Sequence, residues 1–134
     1  MGILPRLENS DINGASPPSP RRADAWVRTH VCVEGRPDWV FVKAHTHGCK
    51  EANWHALLGQ PTVSLHRHLA ERYNDGLNWK LHYVTAREMY NIVKAAEQGL
   101  RGDPGQYRDF LVLPPKAALV AREPIENRGD RSER

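Results

Sequence analysis

Two short segments rich in β-branched and aromatic residues most constrain the fold of this 134-residue chain. The first, residues 38–44 (DWVFVKA), is apolar almost throughout, which is typical of a strand covered on both faces. The second, residues 78–84 (NWKLHYV), alternates apolar and polar side chains with the period of a strand. Residues 107–115 (YRDFLVLPP) form a third candidate that stops at a double proline. The sequence therefore predicts two or three strands.

Helical patterns precede and separate these segments. Their apolar residues recur at helical spacing, and they cover residues 21–33, 50–58, 62–74 and 85–99. The last of them carries the strongest start signal, because Thr85 and Glu88 have the spacing of a capping box. Gly99 is the residue type expected just beyond the end of that helix. The sequence therefore predicts three or four helices.

Strands that alternate with helices indicate right-handed crossovers and parallel pairing. The predicted fold class is accordingly α/β. Two or three parallel strands cannot cover both edges of a sheet, so the pattern favours a piece of a larger sheet or barrel. Uncovered edges of this kind also predict self-association.

The two ends of the chain differ in composition from its middle. Residues 1–20 are rich in proline, glycine and serine, which predicts an extended, linker-like segment, and residues 116–134 form a charged tail expected to be disordered. The folded part is predicted at residues 21–115. The net charge of +3 is small and lies mostly near the ends, so we expect no nucleic-acid partner. Neither a membrane span nor a signal peptide is recognisable, and we expect a soluble, cytoplasmic protein.

A histidine pair directly follows the first segment. Side chains alternate in extended chain, so His45 and His47 would point to the same side. Two imidazoles so placed can bind a metal ion or transfer a proton, but they can equally be an ordinary hydrogen-bonded pair at a strand end. Cys49 is either a further ligand or a small buried thiol. The chain has only two cysteines, which does not indicate a disulfide framework.

Two further residues are candidates for contact with a ligand. Arg87 follows the second segment and could bind an anionic or sugar group, or could simply be an exposed arginine at a helix start. Trp54 is one of four tryptophans that could offer an aromatic face to a sugar ring, whereas Trp39 is better explained as a core residue. The sequence contains no glycine-rich phosphate loop and no nucleophile elbow.

Three stretches, GRPDWVFVKAHTHG, LHYVTAREMYNIVKAAEQG and YRDFLVLPP, resemble the C-terminal part of bacterial polysaccharide deacetylase-like proteins. The resemblance covers roughly residues 3–115. It implies a fragment of a distorted (β/α) barrel, with two or three parallel strands and three or four helices. It also implies a polysaccharide or oligosaccharide ligand. Such enzymes use a divalent metal, usually held by one Asp and two His, to activate the water that removes an acetyl group.

By this resemblance His45 corresponds to the general acid, and His47 is the less favoured alternative. The family's metal-binding motifs, a pair of aspartates and a His-x3-His, are absent from this sequence. We therefore expect no metal cofactor in this chain and no deacetylase activity from the chain alone. The main hypothesis is a fragment of a carbohydrate deacetylase-like hydrolase. The alternative is a non-catalytic carbohydrate-binding or scaffold module, with Trp54, Arg87 and His47 as its contacts.

Overall fold

A computed structural model describes residues 8–48 and 50–113, and these residues form four α-helices and one short 3-10 helix. In chain order they are α1 (Pro20–Thr29), α2 (Glu51–Leu58), α3 (Gln60–Tyr73), α4 (Ala86–Glu97) and the 3-10 helix (Pro104–Tyr107). None of the helices in this part of the chain is long and apolar enough to cross a membrane. The four predicted helices are thus present, with ends that differ from the predicted ones by at most four residues.

The helix ends follow from local side-chain chemistry. The Ser19 hydroxyl accepts a hydrogen bond from the Arg22 N–H, and Pro20 begins α1 where no N–H is needed. α1 ends earlier than the sequence predicts, because His30 takes a left-handed conformation with φ 54°. At α4, Thr85 and Glu88 form both hydrogen bonds of the predicted capping box.

The prediction of an α/β barrel fragment with parallel strands is wrong for the described residues, which contain helices and no strand. Their β-pairing is limited to two isolated bridges, Asp11 with His45 in parallel and Val33 with Arg36 in antiparallel orientation. A strand needs a neighbour about 4.8 Å away to hydrogen-bond with, and a period-two pattern in the sequence cannot supply that neighbour. In the third predicted strand, Tyr107 instead ends the 3-10 helix, and residues 114 and 115 lie outside the described part.

Buried apolar side chains form two clusters. The α1–α3 cluster has Ala23, Trp26 and Leu65 at its centre, with Ile12, Val42 and Leu69 packed against them. The α4 cluster has Trp39, Ile92 and Ala96 at its centre, with Val33, Phe41, Val84 and Tyr107 around them. α4 contacts no other α-helix of the described residues, so the loops and the 3-10 helix connect it to the rest of the molecule.

Residues 38–44, the first extended segment, lie between these two clusters. Trp39 and Phe41 pack in the α4 cluster, whereas Val42 packs in the α1–α3 cluster. Side chains that alternate between two sides indicate an extended path. Apolar side chains of this segment thus pack on both sides of the chain, but the covered strand that the sequence predicts there is not formed.

Residues 78–84, the second extended segment, also have different neighbours on their two faces. On one face the Trp79 ring packs edge-on against Tyr73 at 5.3 Å, and Tyr83 Oη lies 2.9 Å from His66 Nδ1. Both of these partners belong to α3. On the other face, Lys80 and His82 approach the carboxylate of Asp103. The second extended segment therefore connects α3 to the loop that precedes the 3-10 helix.

Candidate functional site

One part of the candidate site is a contact between the N-terminal loop (residues 8–19) and the end of the first extended segment. The Ile12 N–H donates to the His45 carbonyl at 2.8 Å, and the His45 N–H donates to the Ser10 carbonyl at 3.1 Å. These bonds bring Asp11 Oδ1 to 4.0 Å from His45 Nε2. That separation is too long for a hydrogen bond but suits an ion pair when the imidazole is protonated.

Asp11 is the residue of this site that the sequence analysis missed. Its Oδ2 accepts a hydrogen bond from Asn13 Nδ2 at 2.8 Å, while its Oδ1 is buried and has no hydrogen-bond partner in the described residues. A buried carboxylate oxygen without a donor is uncommon, and it marks a place where a proton or a ligand group would be stabilised. Asp11 lies in the linker-like stretch, and only the parallel bridge to His45 reveals its position.

His47 lies beside His45, as the alternating pattern predicts. The two rings have centroids 6.4 Å apart and are nearly perpendicular, at 87°. The His47 carbonyl accepts a hydrogen bond from the buried Asn53 Nδ2 at 2.9 Å. Because Asn53 belongs to α2 and also accepts from the Gly14 N–H, it fixes the histidine segment and the N-terminal loop to the same helix.

Trp54 follows Asn53 on α2 and points away from the core. The residue is 53% exposed, and its ring is tilted by 58° against the His55 ring, with the two centroids 5.0 Å apart. It forms one wall of an open depression of about 270 Å³, whose other walls are Gly48, Lys50 and Glu51. An exposed indole beside one positive and one negative side chain can stack on a sugar ring while the charges bind hydroxyl groups.

Arg87 is not part of this arrangement. It lies in the first turn of α4 and donates to Asp109 Oδ1 at 2.8 Å, and both side chains are largely exposed. α4 makes no contact with α2, so Arg87 and Trp54 belong to separate parts of the described structure. Arg87 therefore fits the alternative of an exposed arginine at a helix start, in an ion pair of small energy.

The described side chains do not fit the metal centre that the resemblance implies. No group of three or more His, Cys, Asp or Glu residues within residues 8–48 and 50–113 is arranged to hold a metal ion. Cys49, the further ligand considered from sequence, lies outside the described residues. No metal-dependent step is therefore assigned to these side chains.

A second polar cluster joins α1 to α3 and has a structural role. His68 Nε2 and Tyr73 Oη both lie 2.7 Å from Asp24 Oδ1. The hydrogen bond with His68, followed by that with Tyr73, lowers the pKa of Asp24. Burial raises the pKa of Tyr73, and its bond to Asp24 acts in the same direction.

Known proteins offer no independent guide to this site. Comparison of the chain with models of protein families, with curated protein sequences and with solved structures found no match. The function is therefore inferred from the geometry around His45, His47 and Trp54 and from the motifs of the sequence.

Proposed function

We propose that this chain is a carbohydrate-binding part of a polysaccharide deacetylase-like hydrolase and that it binds acetylated oligosaccharide without hydrolysing it on its own. The contact surface consists of Trp54, the depression beside it and the neighbouring His47. A cytoplasmic location belongs to the same proposal, and cell fractionation tests it.

The exposed ring of Trp54 is the single observation that carries this proposal. About half of Trp54 is exposed to water, so its indole ring lacks the stabilisation that full burial of an apolar ring would give. The apolar C–H face of a pyranose covers such a ring well, while its hydroxyl groups stay near polar side chains. Lys50 and Glu51 line the same depression and provide one donor and one acceptor group for those hydroxyls.

Binding without hydrolysis is proposed because the sequence lacks the metal-binding motifs of the resembled family. Neither the aspartate pair nor the His-x3-His that would position a water-activating metal in the resembled family is present. His45 could at most supply the proton for a leaving group. The group that activates water would have to come from another polypeptide.

Isothermal titration calorimetry of the chain with a short N-acetylated oligosaccharide tests the binding surface. Trp54→Ala is expected to weaken binding about tenfold, since it removes a stacking contact worth roughly 1 kcal/mol. Trp54→Phe keeps an aromatic face and should stay within about threefold of the parent. Tyr90→Ala removes an equally exposed aromatic ring from α4, and it should leave binding unchanged.

Three results would contradict the proposal. The first is the absence of saturable binding by the parent chain, and the second is unchanged affinity in Trp54→Ala. The third is robust acetate release by the isolated chain when zinc or cobalt is added, because the chain would then be a complete enzyme.

The contact between Asp11 and His45 favours a second candidate function, a proton-transfer role for His45 in a complete enzyme. A carboxylate facing an imidazole can orient the ring and stabilise its charged form during transfer. If the chain restores acetate release to a polypeptide that carries the missing motifs, His45→Gln should abolish that activity. Asp11→Asn should reduce it, and Trp54→Ala should mainly raise KM.

A further inference from the structure

The N-terminal loop contains Asn13–Gly14, the only Asn–Gly dipeptide in the sequence. Asparagine followed by glycine is chemically unstable, because no side chain on the glycine shields the asparagine amide carbon from the glycine's backbone nitrogen. In the fold, the Gly14 N–H donates to Asn53 Oδ1 on α2 at 3.1 Å. A Cβ at position 14 would collide with the Ala52 carbonyl oxygen, so this contact requires glycine. The packing of the loop on α2 therefore fixes the residue type that makes Asn13 reactive.

The folded loop also holds the Asn13 side chain by both of its polar atoms. Its Nδ2 donates to Asp11 Oδ2 at 2.8 Å, and its Oδ1 accepts from the Ser16 N–H at 2.7 Å. Deamidation requires this side chain to turn toward the Gly14 nitrogen, and it requires that nitrogen to lose its proton. The bonds of the Asn13 side chain and the bond from Gly14 to Asn53 must break first, so the reaction depends on local opening of the loop.

We propose that Asn13 is a site of spontaneous deamidation, that attachment of the N-terminal loop to α2 keeps the reaction slow, and that the completed reaction releases the loop. The Gly14 nitrogen forms a bond to Asn13 Cγ while the bond from Cγ to the amide nitrogen breaks, so ammonia leaves with the proton of the Gly14 N–H. Water then opens the resulting succinimide and leaves aspartate or isoaspartate at position 13. The sequence of steps involves no oxidation or reduction, and water is its co-reactant.

Either product weakens the attachment of the loop. Aspartate removes the Nδ2 donor and places a second carboxylate beside Asp11, whose Oδ2 then loses its partner and faces a like charge. Isoaspartate adds a methylene carbon to the backbone and displaces Gly14 from its contact with α2. Because the N–H of Ile12 bonds to the His45 carbonyl in the same loop contact, release of the loop also separates Asp11 from His45.

Peptide mapping by mass spectrometry, after incubation of the full chain at neutral pH, measures the reaction in the folded protein and in denaturing urea. In urea, Asn13 should deamidate faster than any other asparagine of the chain. Folding should slow the reaction at Asn13 at least about tenfold, because opening of the loop precedes it. Isoaspartate should be among the products, since direct hydrolysis of the side-chain amide gives aspartate alone.

Two substitutions of buried asparagines test the role of the contact with α2. Asn53→Leu removes the acceptor for the Gly14 N–H and should speed deamidation of the folded chain about fivefold or more, as expected for the loss of a hydrogen bond. Asn91→Leu is the matched control, because Asn91 is similarly buried but belongs to α4, where it donates to the Arg108 carbonyl. It should leave the rate at Asn13 within about twofold of the parent.

Asn13→Asp reproduces the aspartate product and tests the release of the loop. Exchange of the Ile12 and His45 amides, which donate to carbonyls across the loop contact, should become at least about tenfold faster. Asn9→Asp adds the same charge to an exposed residue of the same loop, where the side chain accepts a hydrogen bond instead of donating one. This control should change both exchange rates by less than about twofold.

Several outcomes would overturn the proposal. Deamidation of Asn13 at equal rates in the folded chain and in urea would do so, as would products that contain no isoaspartate. Equal acceleration by Asn53→Leu and Asn91→Leu would mean that global unfolding, and not the contact with α2, controls the rate. Unchanged exchange of the Ile12 and His45 amides in Asn13→Asp would show that the loop is not released. The comparison of folded and denatured parent chain decides the matter even if Asn53→Leu does not fold.

Discussion

At the scale of single residues, a buried guanidinium fixes the N-terminal loop to α1. Arg22 donates through Nε and Nη2 to both carboxylate oxygens of Glu8, at 2.9 and 2.7 Å, and also donates to the carbonyls of Asp11 and Ser16. The paired arrangement favours the charged form of Glu8, and the hydrogen bond from Arg22 is the main reason that its pKa falls from 4.5 to about 2. The same loop holds Asp11, so this ion pair also supports the candidate site.

A dependence of stability on pH follows for Glu8. Its folded-state pKa is lower than its unfolded-state pKa, so its contribution is fully present above about pH 5 and is lost as the pH falls through 4.5 to about 2. Glu8→Gln should remove roughly 1–3 kcal/mol of unfolding free energy at pH 7 and should flatten the acid side of the stability curve. Urea denaturation between pH 2 and 7 measures this, with the exposed Glu34→Gln as control. Parallel acid curves for Glu8→Gln and the parent would contradict the prediction.

At the scale of elements, the end of α4 is capped from a distant part of the chain. Arg36, which is buried, donates from Nε to the Leu100 carbonyl at 2.7 Å and from Nη2 to the Gly99 carbonyl at 3.2 Å. The Trp39 indole N–H donates nearby to the Gly102 carbonyl at 3.1 Å. Since α4 contacts no other α-helix in the described residues, these bonds help to hold its C-terminal end in place.

Loss of this cap should therefore destabilise the molecule strongly. Arg36→Met keeps most of the side-chain volume but leaves two carbonyls without donors, and it should lower the free energy of unfolding by about 2–4 kcal/mol. Arg87→Met is the matched control, because it breaks only an exposed ion pair and should change the same quantity by less than about 1 kcal/mol. Equal effects of the two substitutions in urea denaturation would show that Arg36 does not have this role.

At the scale of the whole molecule, the two apolar clusters are joined by the two extended segments. The first extended segment contributes side chains to both clusters, and the second connects α3 to the loop before the 3-10 helix. No direct helix–helix packing links α4 to α1, α2 or α3 in the described part of the chain. The clusters should therefore differ in how readily they open.

Large-to-small substitutions in each cluster test this division. Trp39→Ala and Trp26→Ala should each lower the free energy of unfolding by about 3–5 kcal/mol, since each removes a buried indole. In native-state hydrogen exchange, Trp39→Ala should speed exchange in α4 more than in α1 and α3. Trp26→Ala should show the reverse pattern. Uniform loss of protection in both variants would mean that the molecule behaves as a single cooperative core.

The candidate site was predictable in part. His47 and Trp54 are close in sequence, and Asn53, which precedes Trp54, donates to the His47 carbonyl. Arg87 was grouped with them because it follows the second predicted strand as the histidines follow the first, and neither strand is formed in the described residues. Asp11 could not be found from sequence, because its position depends on backbone hydrogen bonds between the N-terminal loop and His45.

The sequence alone determined the features that depend on neighbouring residues. These include the four helices, the capping box at Thr85 and the core position of Trp39, since propensity, capping and local apolar patterning act within a few residues. Only the tertiary structure decided whether the two extended segments became strands. Strand formation requires a second backbone at hydrogen-bonding distance, and neither alternation nor β-propensity in one segment specifies where that partner lies.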